Sequence, residues 1–324
     1  MDNLNSNDKI IFRLPDSKTI EFIESGVGED SFILQAFDKG IEPKEIKGTL
    51  RSIETQEIEQ LIGRFKLTDN SDKSSIDFKS YNEIIHLAQE QMLEGVFKKV
   101  VLAGKFWKEG EPNVMGLFNK LLKNYPKAFV YVGMIGPDMY MGASPETLLV
   151  KRDNLLFTEA LGGTKTNGVY TNKEKIEHHQ IIEYIQEILN RKSYKYELGT
   201  TESKPAGFIE HLCTNFKIQN HSKSEDIKLA HELHPTSAVC GLPYSESLNF
   251  IKKFEKLERQ YYSGFLGPVP KKGDFSFYVN LRCAKIYNSG LLFFAGAGIN
   301  SLSNPKDEWD EINNKVNTIA QFLE

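Results

Sequence analysis

Residues 276–299 read SFYVNLRCAKIYNSGLLFFAGAGI, two runs rich in aromatic, β-branched and small apolar residues on either side of Asn-Ser-Gly. That is the pattern of an antiparallel hairpin, and it predicts one strand over 276–287 and a second over 290–299. Upstream, YNEIIHLAQEQMLEGV (81–96) and VMGLFNKLLKNYP (114–126) carry helical periodicity. KKVVLAGKFW (98–107), AFVYVGMI, MYMG, TLLVK and NLLFTEA read as strands. Helices and strands are mixed without the strict alternation of a parallel sheet, so the expected class is α+β. The polar segment TDNSDKSSID (68–77) reads as a loop between an N-terminal part (1–75) and the remainder (78–324).

Two helical stretches repeat an uncommon arrangement of acids. At about 100° per residue, Glu308 and Glu311 lie at about 0° and −60°, beside an apolar stripe formed by Ile312, Val316, Ile319, Phe322 and Leu323. Glu174 and Glu177 stand the same way beside Ile181, Ile182, Ile185, Ile188 and Leu189. Each pair alone reads as helix capping: Thr171 and Glu174 have capping-box spacing, and Asn304-Pro305 resembles an N-cap followed by proline at the first helical position. The repetition changes the balance. Two desolvated like charges at about 4 Å repel by about 4 kcal/mol at an effective dielectric of about 20, so a cation is expected. With oxygen donors and no Cys/His cluster, a hard ion such as Mg2+ is the natural candidate.

The chain has 324 residues, 40% hydrophobic and 26% charged, with a net charge of −4. Lys and Arg are scattered, so no basic footprint argues for nucleic acid. No apolar run reaches membrane-spanning length, and no apolar signal core opens the chain. The expectation is a cytoplasmic protein without a membrane partner. Cys213, Cys240 and Cys283 are odd in number and far apart, which fits reduced thiols. AGAGIN (295–300) lacks the third glycine and the surrounding βαβ unit of a dinucleotide site; its glycines fit close backbone approach to a ligand carboxylate better.

Taken together, KVVLAGKF (99–106), GASPETLL (142–149), TEALGGTK (158–165), KEKIEHHQII (173–182), LHPTSAVCGLP (233–243), ERQYYSGFLG (258–267), NLRCAKI (280–286) and AGAGINSLSNPKDEWDEINNK (295–315) resemble, in order, the chorismate-utilising enzymes, and within them the isochorismate synthases. The resemblance covers about residues 80–324 and implies the anthranilate synthase-like fold, with two β-sheets packed centrally and helices outside. It implies conversion of chorismate to isochorismate, water entering at C2 as the C4 hydroxyl leaves. Lys99 matches the family's base, Glu146 its general acid, and His234 a residue orienting the leaving hydroxyl. The resemblance puts Gly163 and Thr164 at the ring carboxylate. It puts Tyr262, Arg282, Lys315 and the Gly296 and Gly298 backbone at the pyruvyl carboxylate. It makes Glu177 and Glu311 direct Mg2+ ligands and has Glu174 and Glu308 act through water.

Gly162 stands where the aminodeoxychorismate synthases carry a lysine nucleophile, which disfavours that subfamily; isochorismate synthases usually have alanine there. Anthranilate synthases differ after the first acid pair and in the HPTSAVCG block, and they draw ammonia from a glutaminase, a partner not expected here. Salicylate synthases, which make isochorismate and then eliminate pyruvate, are only mildly opposed by HPT. A non-catalytic chorismate- or magnesium-binding homologue is the alternative from another class. The family implies a monomer.

Overall fold

The computed structural model describes residues 8–70, 72–164, 169–206 and 209–323. Within them the chain begins with β1 (Lys9–Arg13), β2 (Glu21–Glu24), β3 (Asp30–Gln35), β4 (Lys44–Gly48) and β5 (Arg51–Ser52), then α1 (Thr55–Ile62) and α2 (Phe78–Leu93). The middle contains β6 (Lys99–Glu109), α3 (Val114–Asn124), β7 (Phe129–Ile135), β8 (Asp138–Ser144), β9 (Thr147–Arg152), β10 (Leu155–Thr164), α4 (Asn172–Arg191), β11 (Tyr196–Ala206) and β12 (Ile209–Gln219). The last part comprises α5 (Lys223–Leu233), β13 (Gly241–Leu242), α6 (Tyr244–Phe254), β14 (Phe265–Val269), β15 (Ser276–Val279), β16 (Cys283–Tyr287), β17 (Gly290–Ile299) and α7 (Pro305–Ala320).

Among the described residues the strands form two antiparallel sheets. One runs β13-β6-β17-β16-β8-β7-β1-β2-β5 and the other β11-β12-β10-β9-β15-β14-β3-β4. Side chains from both sheets meet in a shared core that includes Phe12, Phe32, Phe129, Tyr140, Leu266 and Tyr278. Phe129 and Tyr278 stack across it at 4.5 Å and 9°. The outer face of the nine-stranded sheet is covered by α1, α2, α3, α6 and α7, and that of the eight-stranded sheet by α4 and α5. The α+β class and the layered arrangement expected from the sequence are therefore observed.

The terminal hairpin differs from its sequence reading in one instructive way. β16 and β17 pair in register from Ala284 with Phe293 to Tyr287 with Gly290, as the Asn-Ser-Gly turn implies. The run 276–287, however, is two strands in different sheets: β15 pairs with β9 and β14, while β16 pairs with β8 and β17. Asn280 is buried at the break, where its side chain accepts from Tyr131 Oη (2.8 Å) and donates to Tyr261 O (2.9 Å). Arg282 follows with φ of 48°, the left-handed conformation that turns the chain from one sheet to the other. Arg282, expected in mid-strand, thus lies in the crossing.

The N-terminal strands are integral to both sheets: β1, β2 and β5 extend the first, and β3 and β4 the second. The polar segment before α2 packs along β6. Ile76 N donates to Lys105 O (3.0 Å), and Ser75 Oγ accepts from Trp107 N (2.8 Å).

Candidate active site

The site is built where the chain crosses between the sheets. β8 belongs to the first sheet and β9 to the second, and Ser144-Pro145-Glu146 joins them. The second crossing, Asn280–Arg282, lies alongside: Ala143 N donates to Arg282 O (3.1 Å) and Val279 N to Glu146 O (3.0 Å). Two crossings held by backbone hydrogen bonds give Glu146 and Arg282 fixed positions beside each other.

Glu146 is half-buried, with its carboxyl surrounded by protein. Burial pushes its carboxyl up to about 7, with Glu159 adding to the rise and Lys315, Lys204 and Lys99 opposing it. The Arg282 guanidinium is lowered by burial and supported by Tyr125 and Glu146. A carboxyl raised this far stays protonated where an unfolded one is ionised, so the folded state holds an extra proton between pH about 4.5 and about 7. Stability on this account falls as pH rises through that window. The shift corresponds to about 3 kcal/mol, less what solvent screens. Glu146→Gln is therefore expected to raise Tm at pH 8 relative to the parent, and to raise it little at pH 4.5. A variant less stable than the parent at pH 8 would contradict the buried-acid reading.

Lys99 opens β6, with its side chain largely buried, and Nζ meets Glu177 Oε1 at 2.6 Å. The apolar neighbours Val100, Val101 and Leu102 thus share control of this lysine with a carboxylate from α4. Lys98 is exposed, as strand alternation requires. The glycines of AGAG make room for this machinery. A Cβ on Gly298 would stand 2.9 Å from Lys99 Cε, and one on Gly296 2.8 Å from Leu102 O and 3.2 Å from Tyr262 Oη. Tyr262 is buried and stacked on Phe294.

The two helices carrying the acid pairs differ. On α4, the five aliphatic residues of the stripe are all buried, each contributing about 1.5–3 kcal/mol, so packing rather than the Lys99 ion pair holds the helix. Gly163 has φ of 74°, and its missing Cβ would lie 2.6 Å from Glu174 O, so the end of β10 and the first turn of α4 touch through backbone. Glu174 is buried and accepts from Thr171 N (2.8 Å), one half of the capping box, and from Thr171 Oγ1. Thr164 ends β10 opposite His211, and its side chain lies outside the described residues.

On α7, Ile312, Val316 and Ile319 are buried as expected, and Asn304 caps the helix, accepting from Lys306 N (2.8 Å). Glu311, however, is about half exposed (49%) and pairs with Lys315 at 2.7 Å; Lys315 Nζ also donates to Gly296 O (2.8 Å). Glu311 thus stands beside the buried stripe, at its edge. A partly exposed i,i+4 pair contributes only about 0.3–0.5 kcal/mol, so this contact yields easily.

Four carboxylates at two helix starts suit a hard divalent cation in donor type. Among the described residues, no three His, Cys, Asp or Glu side chains gather as a formed metal site. Glu177 and Glu311 each face a lysine instead.

His234 does not join this group. It is buried, its Nε2 lies 2.9 Å from Ala36 O, and its ring stands edge-on to Phe265. Burial lowers its pKa to about 3, so it is a neutral residue whose ring ties the end of α5 to the residue after β3. His211, which the motifs did not single out, takes part electrostatically: burial and Lys315 lower its pKa, Glu311 and Glu177 raise it, and Lys99 lowers it. It shares a face of β12 with Cys213, whose Sγ approaches Glu159 Oε2 at 3.4 Å, and Glu159 in turn pairs with Lys204. That i, i+2 spacing was the available signal for His211.

The two-sheet α+β fold thus carries an acid with a raised pKa and an arginine at the sheet crossings, and an acid-paired lysine at the start of β6. Residues 37–324 match the model of the chorismate binding enzyme family, and the chain belongs to that family. It is 29% identical over 303 residues to isochorismate synthase MenF of Escherichia coli (strain K12), covering 88% of this chain and 68% of that protein. It is 27% identical over 222 residues to isochorismate synthase EntC of the same strain, covering 64% of this chain and 57% of EntC. A crystal structure described as a putative 2,3-dihydroxybenzoate-specific isochorismate synthase, DhbC from Bacillus anthracis, superposes with a TM-score of 0.80 at 21% identity, over 98% of this chain and 96% of that one. No helix among the described residues is long and apolar enough to cross a membrane.

Proposed function

We propose that the chain is an isochorismate synthase acting on chorismate. The observation that carries this reading is the pairing of a deep, raised carboxyl, Glu146, with Lys99 at the start of β6, each within electrostatic reach of the other and flanked by Arg282. Substitution on the chorismate ring needs a base for the entering water and an acid for the leaving hydroxyl. Lys99 takes a proton from the water as its oxygen bonds to C2. The electron pairs shift through the ring, and the C4 hydroxyl departs with the proton of Glu146. Arg282 and Lys315 supply the cations for the pyruvyl carboxylate, and Tyr262 Oη a hydrogen bond. Glu174, Glu177, Glu308 and Glu311 would hold a magnesium ion, which would neutralise the ring carboxylate. The names of the relatives support the same reaction.

Three tests separate this reading from its rivals. In water enriched in oxygen-18, isochorismate formed by this route carries the label at C2; unlabelled product would require internal transfer of the C4 hydroxyl and would remove Lys99 as the base. The rate of turnover is expected to fall about tenfold per pH unit above pH about 7, as Glu146 loses the proton it must donate. Glu311→Gln is expected to move the magnesium titration to higher concentration by at least about tenfold. An unchanged titration would take Glu311 out of the ligand set.

A further inference from the structure

Glu146, but not Lys99, lines a small interior cavity with about 20 Å³ of solvent space, enough for one water. Glu146, Glu159, Tyr184, Thr236 and Ser237 are among its lining residues. The Thr236 Oγ1 and Ser237 Oγ atoms are both buried and have no hydrogen-bond partner among the described residues. Two adjacent unpaired hydroxyls cost about 1–3 kcal/mol each unless satisfied, and a water between them would satisfy both. Tyr184 is also part of the wall of an outer groove, with Tyr244, Leu242, Glu187 and Arg191. One aromatic ring therefore borders both the cavity and the groove.

We propose that this cavity holds an ordered water bound by Thr236 and Ser237, and that the water returns a proton to Glu146 after each turnover, drawing it from the outer groove past Tyr184. The proposal rests on the isochorismate synthase reading. In that reaction the proton taken from the entering water ends on Lys99, and the one lost by Glu146 leaves with the C4 oxygen as water. Chorismate and water thus give isochorismate and water, but the enzyme is left with a protonated lysine and an ionised glutamate. Glu146 must be reprotonated before the next turnover, and the cavity, which Glu146 lines and Lys99 does not, supplies a route.

The test follows product formation from the first turnover onward in the parent and in the double variant Thr236→Val, Ser237→Ala. The first turnover of the variant is expected at the parental rate, because Glu146 enters it protonated. Later turnovers should slow by about tenfold, giving a burst of one product per site that the parent lacks. First and later turnovers slowed equally would make the hydroxyls supports of Glu146 and overturn the relay, as would no slowing at all. A high-resolution crystal structure of the parent gives a readout independent of turnover and of how the variant folds. Density for a water within hydrogen-bond distance of Thr236 Oγ1 and Ser237 Oγ is expected; a dry cavity refutes the proposal. A parent with the water in place but no turnover of chorismate would sink the reaction assigned above, and the relay with it.

Discussion

Lys99→Ala is expected to lower chorismate turnover by at least about 10²–10⁴-fold while leaving the fold intact, and Glu146→Gln to do the same. Lys99 sits at the first position of β6, between the short β13 strand and the AGAG glycines of β17, where Gly298 leaves its side chain room to pass. Truncation to alanine removes the amine without disturbing the strand ladder. It leaves Glu177 without its lysine, but Glu177 is partly exposed (27%) and the α4 stripe continues to hold the helix. Steady-state rates combined with thermal unfolding test this. A folded Lys99→Ala enzyme retaining most of its rate would remove Lys99 from the chemistry. A loss of rate that only reflects unfolding would contradict the expectation of an intact fold.

The largest stability effect is expected at Arg259. Its guanidinium pairs with Glu255 with both side chains only 1% exposed, and it donates to Val239 O (2.8 Å) and Val101 O (2.7 Å). Glu255 accepts from Ala103 N (2.8 Å). This pair fastens β6 to the loop that carries Thr236 and Ser237. Arg259→Met leaves a buried, unpaired carboxylate and should cost about 3–5 kcal/mol. Adding Glu255→Met removes that charge and should recover part of the loss, the Ala103, Val101 and Val239 backbone groups remaining unpaired. Urea denaturation of the two variants measures it. A single variant within about 1 kcal/mol of the parent would show that the pair is not a structural tie.

Local periodicity exposed a good deal of this architecture. The stripes of α4 and α7, the Asn304 cap, the β16–β17 turn and the strand over Lys99 all follow from spacing, because each depends on neighbours within a few residues. What spacing did not reveal is set by distant partners. The break at Asn280–Arg282 depends on Tyr131 and Tyr261, so a strand that looks continuous in the sequence belongs to two sheets. His234 bonds the carbonyl of Ala36, from a part of the chain with no matching motif. The N-terminal strands gave little pattern, since β5 is two residues long and β4 alternates weakly, yet they complete both sheets.

The measurement that bears most directly on the central claim is incubation of the purified protein with chorismate, with and without magnesium, and chromatographic separation of the products. The account predicts isochorismate in the presence of magnesium and little or none without it. Salicylate with pyruvate would retain the site and reassign the reaction. Chorismate bound but unchanged under both conditions would contradict the catalytic reading and leave a binding protein in its place.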